Sequence, residues 1–354
     1  MPSFTFSSET SESRSPTAAP GPGGVKSGMI TLLGGLVVIF FVLEVSSPRI
    51  LARFSRTERR INTELNAANS LRPSTADDRP TVLLVGNSLL LEGVQVDSLR
   101  AALAPQYEVS RLAIEQTHYL DWYFGLRRLL ESGSRPSVIV LSLATDQLAS
   151  PFTLGESFAH RQLSVRDFPK VVREAKLDRT TASTYFFAHW SEWQADKGFI
   201  RQCVMITLIP NFRELAAHIA DHGAHLNDPK VLLATTRQRL PELAELSRTY
   251  HVRIVLLIPP TLHEDHSGEI QEIGEAAGVP VWVLSLPGEF TSNYFNKDRF
   301  HLNPLGSGIF TTRLSQKIRA MQDPRVWCNN CEVMSDGAEY GARQEKIRMR
   351  NGVH

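Results

Sequence analysis

Cysteine is scarce in this chain: three in 354 residues, Cys203 and the pair Cys328-Asn-Asn-Cys331. That is too few for a disulfide-stapled scaffold, and the Cys-x-x-Cys pair has no second pair to complete a zinc site. Incidental thiols or one local disulfide are the readings that remain. An excess of charge of one sign is also missing. Lys and Arg number 38 against 37 Asp and Glu, a formal charge of +1, so there is no electrostatic footprint for nucleic acid and no polyanion partner is implied. No internal repeat is visible. What is present is a hydrophobic content of 42%, enough for a real core in one large domain or two modest ones, so the chain as a whole is not disordered.

Residues 1–28 are rich in Ser, Thr, Pro and Gly, including Pro20-Gly21-Pro22-Gly23-Gly24, and read as a disordered tail. Gly28 to Leu43 is uncharged and dominated by Ile, Leu, Val and Phe. As a helix it spans ~24 Å against a hydrocarbon core of ~30 Å. Extension to Ser47 closes the gap and leaves Glu44 near an interface, where a charge costs least. The segment 29–47 is therefore expected to be a single membrane anchor. A signal peptide is the other reading, but Val45-Ser46-Ser47-Pro48 is a poor cleavage site and no Ala-x-Ala lies close by.

Residues 48–79 read as a juxtamembrane helix or linker. Arg49, Arg53, Arg56, Arg59 and Arg60 follow the span while only Arg14 and Lys26 precede it, so the positive-inside rule places the C-terminal body in the cytoplasm. Leu51, Phe54, Ile61 and Leu65 share a helical face between those arginines, which suggests a segment lying along a lipid surface and weakens the rule. Residues 323–354 read as a loose polar tail.

From 80 to 322 short apolar runs alternate with helical stretches. Expected strands are Thr81 to Val85, Val109 to Ile114, Ser137 to Leu143, Val252 to Ile258 and Val279 to Leu284, with Ser110 and Arg111 making the second the weakest. Expected helices are Val96 to Ala104, Tyr119 to Ser132, Pro229 to Tyr250, Glu269 to Ala277 and Pro304 to Met321. Apolar strands with little alternation, each followed by a helix, predict a three-layer α/β/α sandwich around a parallel five-stranded sheet. Ligands in such sheets bind beyond the carboxyl ends of the strands. Residues 147–228 break the alternation and read as a helical, cap-like insertion with stretches at Phe168 to Ala175 and Asn211 to Ile219. Its aromatics, Phe152, Phe158, Tyr185, Phe186, Phe187, Trp190 and Trp193, could stack on sugars, but a small cap needs a core and we assign most of them to it.

Two fragments carry chemistry. Gly86-Asn87-Ser88 follows the first strand, and Asp298-Arg299-Phe300-His301 lies more than two hundred residues later. Serine becomes a nucleophile when an imidazole takes its proton, and the imidazole works best when a carboxylate holds its other nitrogen. Ser88 alone proves little, because a serine entering a helix usually caps it. His263-Glu264-Asp265-His266 has metal-ligand residue types but reads as a solvated loop, with no third site evident. In the group Asp121, Trp122, Tyr123, Arg127 and Arg128, an arginine could hold a sugar or carboxylate; salt bridging on a helix face is the reading we adopt.

The spacing Asp-x-x-His followed by Leu302-Asn303-Pro304-Leu305-Gly306 and a helix, together with Ser88 after the first strand, resembles the SGNH or GDSL hydrolases over roughly residues 80–322. The resemblance implies Ser88 as nucleophile, His301 as general base and Asp298 as its orienter, with a flavodoxin-like sheet. It also implies oxyanion donors: the backbone amide of Ser88, a glycine after the second strand and an asparagine after the third. Here Gln116 stands for that glycine and Thr145, in Leu143-Ala144-Thr145-Asp146, for that asparagine; losing one such donor can cost ~3 kcal/mol of transition-state stabilisation. With the anchor and the insertion, these departures are similar to the branch that includes alginate O-acetylation proteins and related extracytoplasmic acyltransferases. That branch implies transfer of an acyl group through a seryl ester to a polysaccharide hydroxyl, a membrane-bound O-acyltransferase as partner, a periplasmic or exterior location, and no metal or organic cofactor. The other expectation is a non-catalytic carbohydrate-binding or assembly protein with a degenerate site.

Overall fold

The computed structural model describes residues 22–74, 78–209, 228–262, 266–286 and 288–321. The chain divides into two compact units, Met1–Ser46 and Ser47–His354. In the first, the described residues are helical and belong to α1 (Pro22–Phe54), so the part of the expected tail from 22 to 28 is helix instead. Ser27–Leu51 is long and apolar enough to cross a membrane by length and composition, with mean hydropathy 2.4.

The second unit begins inside α1. The helix does not stop at Ser47, the expected end of the anchor, but runs through Pro48 to Phe54. An internal proline forfeits one backbone hydrogen bond and strains the preceding turn. Here the flanking residues are held from outside: Ser47 Oγ donates to Asp196 Oδ2 at 2.9 Å, and Leu51 is buried. Then α2 (Arg56–Ser70) starts on Ser55, whose hydroxyl accepts from Glu58 N. Ile61 and Ala68 are buried and Leu65 is packed against the core. The face expected on a lipid surface is thus turned onto the protein, because an apolar stripe gains more against a sheet layer than at a wet interface.

The sheet has five parallel strands in the order β2-β1-β3-β4-β5: β1 (Thr81–Gly86), β2 (Glu108–Ala113), β3 (Val138–Ser142), β4 (Arg253–Ile258) and β5 (Val281–Val283). β1 and β3 are buried throughout, whereas the edge strand β2 exposes Glu108 and half-buries Ser110 and Arg111. β5 is shorter than expected, because Gly278 (φ 76°) and Pro280 serve the turn leading into it.

Alternate residues of each strand feed opposite cores. Leu83, Val85, Ile139, Leu141, Ile254 and Leu256 point to one, which is covered by α2, α5 (Tyr119–Glu131), α11 (Pro229–Tyr250) and α12 (Ser267–Ala277). Val82, Leu84, Val138, Val140, Val255 and Leu257 point to the other, covered by α3 (Ser88–Gly93), α4 (Val96–Leu103) and α13 (Pro304–Arg319). This is a three-layer α/β/α sandwich.

The insertion holds α6 (Thr145–Ala149), α7 (Glu156–Arg161), α8 (Phe168–Glu174), α9 (Arg179–Trp190) and α10 (Glu192–Leu208). The core assignment of its aromatics needs correction. Phe158 and Tyr185 are buried and Trp193 half-buried, but Phe152, Phe186, Phe187 and Trp190 are exposed. Two rings, with Ala159, Val171 and Ala188, suffice to join these short helices to the main core. Arg127 pairs with Glu131 and Asp167, and Arg128 donates to the carbonyls of His160 and Leu163, so both serve packing. The stretch Asn211 to Ile219, the residues His263, Glu264 and Asp265, the pair Cys328 and Cys331, and the tail 323–354 lie outside the described residues; Cys203 lies in α10.

Candidate active site

In a sheet of this order the strand order reverses between β1 and β3, which opens a crevice at their carboxyl ends. Ser88 stands there, directly after β1. Gly86 pairs in register with Ser142, and a Cβ on Gly86 would lie 2.7 Å from the Ser142 carbonyl oxygen, so only glycine allows β1 and β3 this closeness. The cap of α3 is Asn87, not Ser88. Its Oδ1 accepts from Leu89 N at 3.0 Å. Ser88 therefore becomes the first helical residue, and its hydroxyl is released from capping duty.

That hydroxyl meets His301. Ser88 Oγ lies 2.9 Å from His301 Nε2, and His301 Nδ1 lies 2.8 Å from Asp298 Oδ2. With the carboxylate accepting at Nδ1, the imidazole carries its proton there and Nε2 accepts from the serine. Asp298 Oδ1 accepts from the backbone N–H groups of Phe300 and His301, both at 3.0 Å. Partial burial pushes the Asp298 carboxyl up, but the His301 side chain and those two amides outweigh it and hold it below the ordinary aspartate value. The Phe300 ring stands edge-on to the imidazole, centroids 5.0 Å apart.

The turn carrying His301 is tightly built. Asn296 N–H donates to His301 O at 2.8 Å, Phe295 and Leu302 form an antiparallel bridge, and both are buried in the core. Asn303 then caps α13 through Leu305 N and Gly306 N, while its amide donates to Asn293 O and Phe295 O. Gly306 is required, since a Cβ there would sit 2.4 Å from Tyr294 O. Gln95, after α3, donates to Pro304 O at 2.9 Å and to Ser307 Oγ at 3.0 Å. Ser88 and His301 are thereby fastened together by contacts beyond their own hydrogen bond.

The two remaining candidates lie at neighbouring strand ends. Gln116 follows β2, is exposed, and has φ 62°. A residue with a Cβ held in this region costs about 1–2 kcal/mol, a cost a glycine would escape. Thr145 is buried as the first residue of α6, after β3. Three residues that sequence reasoning passed over join these loops. Asn87 Nδ2 donates to Thr117 O at 2.9 Å and to Gln147 Oε1 at 2.7 Å, and Gln147 Oε1 also accepts from Ala144 N at 3.0 Å. Thr117 Oγ1 donates to Ile114 O and accepts from Trp122 Nε1. The ends of β1, β2 and β3 are thus one hydrogen-bonded assembly centred on Asn87, which is 1% exposed. Gln147, three residues after Ala144, was the available signal.

His266 is not gathered into this site; it pairs with Glu269 at the start of α12. Among the described residues no group of three or more His, Cys, Asp or Glu could hold a metal ion. Chemically, a hydroxyl, an imidazole and a carboxylate in series can pass a proton off serine as it attacks a carbonyl carbon.

No family model and no curated protein matches the sequence. Solved structures that the chain matches include LAE5, an alpha/beta hydrolase enzyme from the metagenome of Lake Arreo, Spain, at 10% identity and TM-score 0.36, covering 72% of this chain and 100% of that one. Another is the psychrotrophic esterase EstA from Pseudoalteromonas sp., inhibited by monoethylphosphonate, at 13% identity and TM-score 0.36, covering 68% and 96%.

Proposed function

We propose that this chain is a membrane-anchored SGNH-type serine acyltransferase or esterase that works through a seryl ester on Ser88. The observation that supports it is the unbroken series Ser88 Oγ, His301 Nε2, His301 Nδ1, Asp298 Oδ2, at 2.9 and 2.8 Å. In the proposed reaction Ser88 Oγ bonds to the ester carbonyl carbon while its proton passes to His301 Nε2. Collapse of the tetrahedral adduct breaks the bond to the alcohol oxygen, which takes that proton and leaves. A second hydroxyl then gives its proton to His301 and attacks the acyl carbon, and Ser88 is released with its own proton returned. Asp298 fixes the ring's tautomer and balances the imidazolium that forms in both halves.

The oxyanion is assigned to the backbone amides of Ser88 and Gln116, with Thr145 at the place of a third donor. Water as second hydroxyl makes the protein an esterase; a sugar hydroxyl makes it a transferase. We favour a carbohydrate acceptor on an extracytoplasmic polysaccharide, with the acyl group delivered by a membrane-bound O-acyltransferase. The apolar helix Ser27–Leu51 would keep the body close to such a partner, and the exposed rings of the insertion offer faces on which sugars stack. The body would then face the periplasm or exterior.

The test is a fluorophosphonate probe applied to the full chain in detergent. Labelling of Ser88, abolished by Ser88→Ala and weakened by His301→Ala, is the expected result. A folded protein that takes no label overturns the proposal in favour of a binding or assembly role.

A further inference from the structure

We infer that Arg60, on the helix between the apolar span and the sheet, is a positioning residue for the turn Glu115-Gln116-Thr117. Acyl transfer at Ser88 then depends on α2 being docked. This rests on the reading of Gln116 as an oxyanion donor, and it names what holds that donor in place.

β2 is an edge strand, so its outer backbone groups have no strand to pair with. At its last residue, α2 supplies the missing partners. Arg60 Nη1 donates to Ala113 O at 2.6 Å, and Glu64 Oε2, one helical turn on, accepts from Ala113 N at 2.8 Å. Arg60 Nη2 then reaches past the strand to both oxygens of Glu115, at 2.7 Å each. Glu64 is braced in turn by Arg111, at 3.0 and 2.7 Å, and by Arg60 Nη1 at 3.1 Å. Two cations and two anions balance, and their side chains are 12–31% exposed. A pair this far out of water is stiffer than a surface ion pair, because each charge that lets go must be solvated again.

The residue next to this grip is Gln116 in its left-handed conformation. Its own side chain is exposed. The restraint comes from the two flanks. On one side Arg60 holds Ala113 and Glu115; on the other Asn87 holds Thr117 O at 2.9 Å, and Thr117 Oγ1 closes back on Ile114 O at 2.6 Å. Glycine could hold this turn unaided. Glutamine needs both hands on it, and one of them belongs to α2.

A mere staple would change the melting temperature and leave the chemistry of the folded molecule alone. A positioning residue changes kcat with KM unmoved, because a displaced donor weakens the transition state more than the ground state. Full-length protein in detergent, well below its melting temperature, would be assayed with p-nitrophenyl acetate and with the rate of fluorophosphonate labelling. Arg60→Gln should lower kcat and the labelling rate by about tenfold to a hundredfold, with KM within about twofold, since a misplacement near 1 Å costs up to that much. Arg60→Lys, able to reach Ala113 O or Glu115 but not both, should fall between. Arg59→Gln, the same loss of charge on the exposed face of α2, should match the wild type. An Arg60→Gln protein with wild-type kcat, or one whose loss follows its unfolded fraction, overturns the inference while the serine reading stands. A wild-type chain inert to both reagents overturns both.

Discussion

Replacing Asp298 by Asn tests the proposed site most sharply, because it preserves shape and inverts one proton. The Asn Oδ1 can go on accepting from Phe300 N and His301 N, as Asp298 Oδ1 does at 3.0 Å. Its amide nitrogen then faces His301 Nδ1, where the carboxylate stood at 2.8 Å. Two donors cannot share that gap, so the ring proton moves to Nε2 and points at the Ser88 hydroxyl it was meant to relieve. A charge-assisted hydrogen bond is worth about 1.5–3 kcal/mol, or about 10- to 150-fold in rate at 1.36 kcal/mol per decade, and the wrong tautomer adds to it. Asp298 is 49% exposed, so water replaces part of its field, and the loss should stay below the ~10⁴-fold of a buried triad. We expect kcat for p-nitrophenyl acetate to fall about 10²- to 10³-fold with KM little changed. The penalty should persist into mildly acidic solution, because His301 and the two amides keep Asp298 ionised below the ordinary aspartate value. A variant with kcat within about threefold of wild type would show that Asp298 does not orient the base.

Gly86→Ala drives a methyl to 2.7 Å from Ser142 O, which should cost about 1–3 kcal/mol; the urea midpoint should drop at constant m-value, and an unchanged midpoint would mean that β1 and β3 have room to part. Burial lifts the Asp121 carboxyl to about 7, against the amides of Leu154 and His118, which favour its ionised form. The folded protein then keeps this proton between about pH 4 and 7 while the unfolded chain releases it, so stability from this group is lost as pH rises, by up to about 4 kcal/mol. Asp121→Asn should lack that slope, and denaturation curves at pH 4.5 and 7 with equal pH dependence in both proteins would refute it. For orientation, a reporter active only outside the cytoplasm, fused after residue 354, should be active; a stable but inactive fusion would place the body inside, as the arginines after the span suggest.

The sheet was legible because burial on both faces leaves a continuous apolar run, and Thr81 to Val85 and Val252 to Ile258 are such runs. The pairing of Asp298 with His301 was legible because the two are three residues apart and meet within one turn. Asn87 was not. Its importance lies in reaching Thr117 and Gln147, 30 and 60 residues away, and nothing local distinguishes it from any asparagine ahead of a helix. Capping was credited to Ser88 for the same reason: two capping residues stand side by side, and only the fold shows which oxygen faces the helix and which faces His301.

The errors in the juxtamembrane segment and in the insertion share one cause. An amphipathic stripe states that a face is apolar, not what covers it. Leu51 and Ile61 looked like a lipid-facing stripe beside arginines, yet the second unit covers them. Phe186, Phe187 and Trp190 looked like cap core, yet they are exposed on α9. For α2 the difference is settled by charge partners far along the chain. Arg60 is drawn to Glu115 across 55 residues and Arg161 to Glu58 across 103, and each such pair decides which side of its helix turns inward. Once α2 is rotated by Arg60 and Glu64 onto the end of β2, its apolar stripe has only the core to face. The contact that misled the lipid reading is therefore the same one that grips Glu115, the neighbour of Gln116.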